Sequence, residues 1–364
     1  MKVGIIGASF ARAAYLPALR HVEGAQVVAI ASGRLDSARS AAQAFGVDNA
    51  YDDWRAMLDT HRPDLVLIAT PTDTHAEMTL AALDAGAHVV CEKPTAMNAG
   101  EAKAMLDKAE ALGRVHMIDH ELRFNPNRQK IAQLIADGEL GEIRHANIAN
   151  IGASWADPAA RPKGDWWSLA EHGGGRLGAN GSHQVDMVRW WLGPVASVVG
   201  EALTIIPNRI DKATGEPWTA TADDTTYFTM AMASGARVQV FMSGVAANNI
   251  GNLTHVFGSK GTITLANEDE KLYFAKAGQG FEEITQPDPN AALEGLNKGI
   301  WNVSVVAALR EVAAAIREGR RLKQGASFFD GLANQRVLDA VLTSTKSRAW
   351  VDLPAEETPR GAAA

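Results

Sequence analysis

The sequence predicts an α/β chain: an N-terminal doubly wound parallel sheet of Rossmann type, then an α+β domain with a large open, mostly antiparallel sheet. Three observations carry this. Over the first 120 residues, short apolar runs alternate with longer Ala-rich amphipathic stretches, the pattern of right-handed βαβ units. The apolar runs, such as Leu65–Ala69 (LVLIA), have no polar face, as befits strands covered on both sides. After Asp119, runs of alternating polarity follow one another through turns such as Ser234-Gly235 and Lys260-Gly261, which suit hairpins.

In chain order, the first half offers strands at Val3–Ile6, Val27–Ala31, Leu65–Ala69, Val89–Cys91 and Val115–Ile118. Helices are expected around Ala11–His21, Ser37–Phe45, Asp53–Thr60, Thr74–Ala85 and Asn98–Leu112. Asn125-Pro126-Asn127 is a helix start for Gln129–Ala136, which Asp137-Gly138 ends. Residues 152–181 read as loop, with Pro158, Pro162 and Gly173-Gly174-Gly175, and a helix follows over Ser182–Leu192. Strands are then expected at Val195–Thr204, Thr225–Met232, Arg237–Ser243, Leu253–Phe257 and Thr262–Leu265. Helices near Trp301–Glu318 and Phe328–Thr345 precede a last strand at Trp350–Leu353, and the Ala-rich tail after Pro354 is expected to fray. At roughly 150 residues per domain, 364 residues give two domains. We place them at 1–120 and 121–364.

Composition narrows the function. A single cysteine, Cys91, forbids an internal disulfide and excludes a stapled secreted scaffold. The balance of 35 basic against 42 acidic residues, net −7, gives no footprint for a phosphate backbone, so no nucleic-acid partner is expected. No apolar stretch approaches the ~18 to 20 residues of a membrane span, and the first strand begins at Val3, leaving no room for a leader. A cytoplasmic protein without a membrane partner is expected. HExxH, paired CxxC and GxSxG are absent. His116 and His120 lack an evident third ligand, so no metal is expected.

The run Gly4-Ile5-Ile6-Gly7-Ala8-Ser9-Phe10-Ala11-Arg12 lies between the first strand and first helix, where a GxGxxG turn holds a pyrophosphate. Only Gly7 occupies its glycine position; Ser9 and Arg12 fill the second and third. A plain strand-to-helix turn explains the run about as well. If it is a dinucleotide turn, Gly7, Ser9, Phe10 and Ala11 are its cofactor-binding residues. The second strand ends in Ala31-Ser32-Gly33-Arg34 rather than in the Asp or Glu that takes ribose hydroxyls. A hydroxyl with a guanidinium suits a 2′-phosphate, so Ser32 and Arg34 point to NADP, with NAD possible; a solvated turn is the alternative.

Glu92-Lys93-Pro94 closes the Val89–Cys91 strand, at the sheet edge where open α/β folds bind ligands. A lysine there is suited to hydrogen-bond a substrate hydroxyl and stabilise developing negative charge, and Pro94 suits a tight, even cis, turn. An ordinary charged strand end is the alternative. The nine Trp against four Tyr form a further signal. Trp155, Trp166 and Trp167 lie in the loop before the glycine run, and their faces suit the C–H faces of sugar rings; Trp190 and Trp191 read as core.

These motifs, with Ile68-Ala69-Thr70-Pro71-Thr72-Asp73-Thr74-His75, His120–Pro126, the run from Gly173-Gly174-Gly175 through Gly181-Ser182-His183 to Asp186, and Phe328-Phe329-Asp330-Gly331, resemble the glucose–fructose oxidoreductase / inositol dehydrogenase (Gfo/Idh/MocA) family. The ordered matches span roughly residues 3 to 353. The resemblance implies a Rossmann domain, then a domain whose open sheet walls the substrate site, with the site in the crevice between the halves. It implies hydride transfer between a nicotinamide and an alcohol, hemiacetal or carbonyl of a sugar, cyclitol or related polyol. Thr70, Pro71, Thr72, His75, Glu92 and Lys93 would lie by the cofactor. Lys93 would face the substrate and His183 would exchange the hydroxyl proton, with Arg123, Trp155, Trp167 and Asn180 as further substrate contacts.

An alcohol oxidation needs a neutral base. With Ser182 or Asn180 as N-cap, His183 falls in the first helical turn, where the dipole disfavours imidazolium; the alternative is a histidine that caps or packs the helix. The family's Asp four residues earlier is here Ala179, which keeps a second function open: a catalytically weak sugar or nucleotide sensor on the same scaffold. The resemblance also implies a homodimer or homotetramer paired through the exposed sheet face.

Overall fold

The computed structural model describes residues 1–266 and 270–356; the tail expected to fray lies largely outside them. Two compact units emerge, Met1–Asn125 with Pro287–Leu332, and Pro126–Gln286 with Ala333–Ala364. Residues 287–332, placed by the sequence with the second domain, thus pack with the first unit.

The first unit is built on a six-stranded parallel sheet: β1 (Lys2–Ile6), β2 (Gln26–Ala31), β3 (Ala50–Tyr51), β4 (Leu65–Ile68), β5 (His88–Cys91) and β6 (His116–Ile118). Its order is β3-β2-β1-β4-β5-β6, the doubly wound arrangement that reverses between β1 and β4. All four residues of β4 are buried, as its unbroken apolar run requires. Five of these strands match the expected runs within a residue or two, whereas β3, only two residues long, carries no readable pattern.

The helix expected over Ala11–His21 is instead two, α1 (Ala8–Ala13) and α2 (Tyr15–Leu19), separated at Ala14 with φ −128°. Pro17 explains the break. It lacks an N–H and its ring clashes with the carbonyl four residues back, so it is tolerated only in a first turn. The other crossings are α3 (Leu35–Phe45), α4 (Trp54–His61), α5 (His75–Asp84) and α6 (Ala99–Ala111). Tyr15, Leu16 and Leu19 pack with Val305, Leu309 and Val312 of the helix Ile300–Glu318 on one side of the sheet. Met78, Leu83, Ala102 and Met105 of α5 and α6 cover the other. Each fully buried Leu or Val among these contributes about 1.5–3 kcal/mol, which is what draws residues 300–318 into this unit.

The second unit contains α7 (Pro126–Ala136), β7 (Ile143–Ile151), α8 (Ser182–Leu192) and β8 (Val195–Leu203), then a small hairpin of β9 (Asn208–Ile210) and β10 (Pro217–Thr219). There follow β11 (Thr225–Met232), β12 (Arg237–Ser243), β13 (Gly251–Gly258), β14 (Gly261–Ala266), β15 (Lys271–Lys276), β16 (Glu282–Glu283) and β17 (Val351–Asp352). Nine strands form one sheet in the order β16-β15-β14-β13-β7-β12-β11-β8-β17, antiparallel throughout except where β7 and β12 run parallel. The central β7, with several polar residues of its own (IRHANIANI), was not expected from the sequence. Along β12, burial alternates residue by residue from Arg237 to Met242. One face is therefore covered, and the other leaves Tyr227 and Phe241 exposed.

Candidate functional site

In the first unit, Gly7 sits where β1, β2 and β4 converge. Its N–H donates to the Ala31 carbonyl at 2.8 Å, its φ is +106°, and a Cβ there would lie 2.2 Å from the Ala69 carbonyl oxygen. Only glycine fits. Beyond it, Ala8, Ser9, Arg12 and Ala13 from the start of α1 line a cavity of about 730 Å³. Ser32, Arg34, Asp36, Ser37 and Ser40, from the end of β2 and from α3, complete the lining. Arg12, which looked in the sequence like a departure from the glycine pattern, faces the same cavity as Arg34 and donates to Ser40 Oγ at 3.1 Å. Four hydroxyls and two guanidiniums at the carboxyl edge of a parallel sheet fit the phosphates and ribose of a dinucleotide. Phe10 packs edge-on against Tyr15, centroids 5.4 Å apart. Ala11 lies wholly in the core, with neither side chain nor backbone exposed, and it does not line this cavity.

The loop after β4 is braced from within. Thr74 Oγ1 donates to Thr70 Oγ1 at 2.7 Å, and Thr72 is buried. His75, also buried, has Nδ1 3.0 Å from the Pro94 carbonyl and Nε2 3.0 Å from the Thr70 carbonyl. It therefore ties the loop after β4 to the one after β5. Burial lowers its pKa, against the raising effect of the Thr70, Pro94 and Thr95 carbonyls. The Lys93–Pro94 peptide is cis.

Around Lys93 lies a group of acidic residues of which the sequence assigned a role only to Glu92. Glu92 is 7% exposed and accepts a hydrogen bond from the Tyr15 hydroxyl at 2.9 Å. Asp119 and Glu121 follow β6, and both are buried. Burial raises the pKa of all three carboxyls, and the Lys93 charge lowers each. Tyr15 is raised well above its usual value by burial and then by Asp119 and Glu92. The available signal was register: Cys91 pairs with Ile118, so the loops leaving these two strands emerge side by side.

Arg123 donates to Asp330 at 3.0 Å and to the Gly325 carbonyl at 3.0 Å, joining two of the recognised motifs inside the first unit. His116 accepts from the Phe328 N–H at 3.0 Å and lies 3.1 Å from Glu110. Glu110, hydrogen-bonded to His116 and Arg321, is pulled down to about 2. Cys91 is buried, and burial raises its thiol pKa. Among the described residues no group of three His, Cys, Asp or Glu is disposed to hold a metal ion, and no helix is long and apolar enough to cross a membrane.

In the second unit, the glycine run is a matter of space. A Cβ at Gly174 would meet the Trp166 carbonyl oxygen at 2.4 Å, and at Gly175 it would meet Asp223 Oδ1 at 2.0 Å. Asp223 accepts from the Leu177 N–H at 2.8 Å and from the Thr226 hydroxyl. Burial raises its carboxyl to about 6, against those hydrogen bonds. The chain then runs through a π-helical turn, Leu177–Gly181, straight into α8.

The N-cap expected at Ser182 or Asn180 is therefore absent. Gly181 is already helical, with φ −62° and ψ −37°, and Ser182 Oγ donates to the Gly178 carbonyl at 2.6 Å. His183, 2% exposed, falls in the second turn of a continuous helical run, where the dipole acts weakly because its effect is confined to the first turn. Asp186 is buried on the same helix, and Asn180 is half-buried on the π turn.

Trp155 is 3% exposed. The guanidiniums of Arg161 and Arg176 stand 5.4 and 5.8 Å from its ring centroid, and its carbonyl accepts from Arg209 at 2.7 Å. Trp167 stacks on Trp166 at 4.2 Å. Trp191 is buried and Trp190 half-buried, in keeping with a core role. Of the expected site residues, Lys93 and Arg123 thus belong to the first unit, and Trp155, Trp167, Asn180 and His183 to the second.

Comparison with known proteins finds relatives for both parts of the chain. Residues 1–120 match the model of an oxidoreductase family with an NAD-binding Rossmann fold, and residues 128–264 match the GFO/IDH/MocA C-terminal domain. Levoglucosan dehydrogenase of Pseudarthrobacter phenanthrenivorans is 29% identical over 350 residues, covering 89% of each chain. Myo-inositol 2-dehydrogenase of Thermotoga maritima is 27% identical over 281 residues, 77% of this chain and 79% of that one. A solved structure of a levoglucosan dehydrogenase in complex with NADH and levoglucosan superposes with a TM-score of 0.86 at 29% identity, over 97% of this chain and 99% of the other.

Proposed function

From its membership of the GFO/IDH/MocA oxidoreductase family, to which this chain belongs, we propose that it transfers a hydride between a nicotinamide dinucleotide and a sugar, cyclitol or related polyol or carbonyl compound. One observation carries the reading. A parallel sheet of order β3-β2-β1-β4-β5-β6 has a 730 Å³ hydroxyl- and guanidinium-lined cavity at the end of β1 and β2, and Lys93 stands at the end of β5. Similarity to dehydrogenases of levoglucosan and myo-inositol supports a carbohydrate-like substrate.

The dinucleotide, when bound, supplies the hydride acceptor at C4 of its nicotinamide ring. Gly7, Ser9 and Phe10 hold its phosphates, and Thr70, Pro71 and Thr72 with Glu92 border the nicotinamide end, where His75 braces the two loops. Ser32 and Arg34, joined by Arg12, select NADP, since guanidinium groups make charge-assisted bonds with a 2′-phosphate. Lys93 donates a hydrogen bond to the reacting oxygen. His183 takes the hydroxyl proton as the C–H hydride leaves, so the alcohol loses one hydride and one proton to become a carbonyl. Arg123, Trp155, Trp167 and Asn180 are assigned to the substrate; of these, Arg123 and Trp155 act from protein-bound positions. The first unit thus supplies the dinucleotide residues together with Lys93 and Arg123, and the second supplies Trp155, Trp167, Asn180 and His183.

The sensor reading rests on Ala179, where the family carries an Asp. Absorbance of the reduced nicotinamide, followed over a panel of sugars and polyols, separates the two. Turnover is expected with a member of the panel, and His183→Ala should lower kcat about 10²- to 10³-fold with unchanged circular dichroism. Tight dinucleotide binding without turnover of any panel member would favour the sensor, and full turnover by His183→Ala would remove its role as base.

The exposed face of the nine-stranded sheet, which frames a shallow cavity of about 970 Å³ bordered by Tyr227, Phe241, Leu253 and His255, is assigned to self-association as a homodimer or homotetramer. Exposed apolar patches of this kind commonly mark interfaces.

A further inference from the structure

We propose that Thr221 is a positioning residue of the substrate site: its hydroxyl and N–H clamp the turn that carries Trp166 and Trp167, and so hold Trp167 in the orientation that meets the sugar ring. The inference rests on the reading of Trp167 as a substrate contact.

The turn has little of its own to hold it. Residues 152–165 contain no helix or strand, and Trp166–Ser168 and Ala170–His172 are single 3-10 turns, which close few hydrogen bonds internally. Their backbone groups must find partners elsewhere. Two segments supply them. The first is the glycine run: the Gly175 N–H donates to the Trp167 carbonyl at 2.9 Å, and the Gly174 N–H to the Leu169 carbonyl at 3.0 Å.

The second is Thr221. Its N–H donates to the Ser168 carbonyl at 2.9 Å, where the Ala222 N–H joins it at 3.1 Å. Ser168 is 1% exposed, so water does not take the place of these two amides. The Thr221 hydroxyl accepts from the Ala170 N–H at 2.9 Å and donates to a Glu171 carboxylate oxygen at 2.8 Å. A hydroxyl is the small side-chain group that accepts and donates at once. The Glu171 carboxyl is held below its ordinary pKa by its own backbone and then by Thr221, so it stays an anionic acceptor near neutral pH. One residue thereby reaches Ser168, Ala170 and Glu171, the segment directly after Trp167.

The same short strap serves the rest of the site. Two residues on, Asp223 takes the Leu177 N–H, at the start of the π turn that runs into α8 and His183. Thr221-Ala222-Asp223 thus holds the tryptophan turn in register with the run that carries the base. Thr221 itself is exposed, so replacing its hydroxyl alters the clamp and leaves the core alone.

The test reads the clamp and the substrate separately. Trp166 and Trp167 stack with centroids 4.2 Å apart and 28° between their planes, so the pair contributes an exciton couplet to the circular dichroism of the folded protein. The difference between the wild type and Trp166→Phe isolates that couplet from the other tryptophans. Thr221→Val should lose part of it, and should raise KM for a panel sugar that is turned over about fivefold with kcat little changed. Thr221→Ser, which keeps the hydroxyl, should restore both. An undiminished couplet in Thr221→Val overturns the clamp. A diminished couplet with an unmoved KM overturns the positioning role if Trp167→Leu raises KM. If Trp167→Leu also leaves KM unmoved, the reading of Trp167 falls instead, and the positioning role with it. Absence of turnover with every panel sugar removes the hydride-transfer reading on which both rest.

Discussion

Arg34 shows how far a single residue can be read from its place in the chain. Its position at the end of β2 was legible because the apolar run of that strand stops at Ala31, just before Ser-Gly-Arg. Arg12 was not, because a motif judged by its glycines registers an arginine only as an error. The structure turns both toward one cavity with Ser32, Ser37 and Ser40. If they select the 2′-phosphate, Arg34→Ala should weaken NADPH binding about tenfold, worth about 1.4 kcal/mol, and leave NADH binding nearly unchanged; fluorescence titration of both cofactors measures the difference. Equal loss for the two would assign Arg34 to the shared pyrophosphate. Asp119 and Glu121 escaped the sequence for a different reason. An acid after a strand reads as solvated, and only the pairing of β5 with β6, with α2 brought to Glu92 by Tyr15, buries them.

At the scale of elements, strands with unbroken apolar runs were legible almost to the residue, because burial on both faces leaves one composition. The departures have local causes. Pro17 splits the first helix, two-residue β3 has no period to read, and β7 carries asparagines through the middle of a sheet. The start of α8 is the departure that matters most for the site. The expected cap is replaced by a π turn anchored through Asp223 to the Leu177 N–H and the Thr226 hydroxyl. That anchor has a pH signature. Asp223 is raised to about 6 in the folded chain, whereas an unfolded Asp titrates near ~3.9. The folded state therefore binds this proton more tightly, so the group's contribution to stability is full below about pH 4 and lost as pH rises through about 6. Asp223→Asn should remove that pH-dependent increment. The urea midpoints of the two proteins should differ by a gap that changes between about pH 4 and 7. A constant gap across that window would place the carboxyl's titration elsewhere. Asp223→Ala, which leaves the Leu177 amide without its partner, should cost about 1–3 kcal/mol at any pH.

Across the whole chain, composition and alternation gave two halves, but not the return of residues 287–332 to the first. A helix carries no mark of which sheet it covers, and Val305, Leu309 and Val312 would suit either core. The second sheet poses the converse question. Its alternation was legible, and alternation means one face is left open. Tyr227 and Phe241, each about two-fifths exposed, stand on neighbouring strands, with Tyr227 opposite Phe241 in the β11–β12 register. An aromatic pair left in water forfeits burial worth about 1.5–3 kcal/mol per side chain, and a second copy of the same face recovers it on both sides of an isologous contact. Sedimentation velocity of the wild type should therefore give a dimer or tetramer, and Phe241→Asp, which puts a charge at the centre of the patch, should give a folded monomer. The substitution lies on the open face, so the covered core is untouched and thermal unfolding of the monomer should remain cooperative. A wild type that sediments as a monomer at micromolar concentration, or a variant that keeps its assembly, would assign the exposed aromatics to another purpose than pairing.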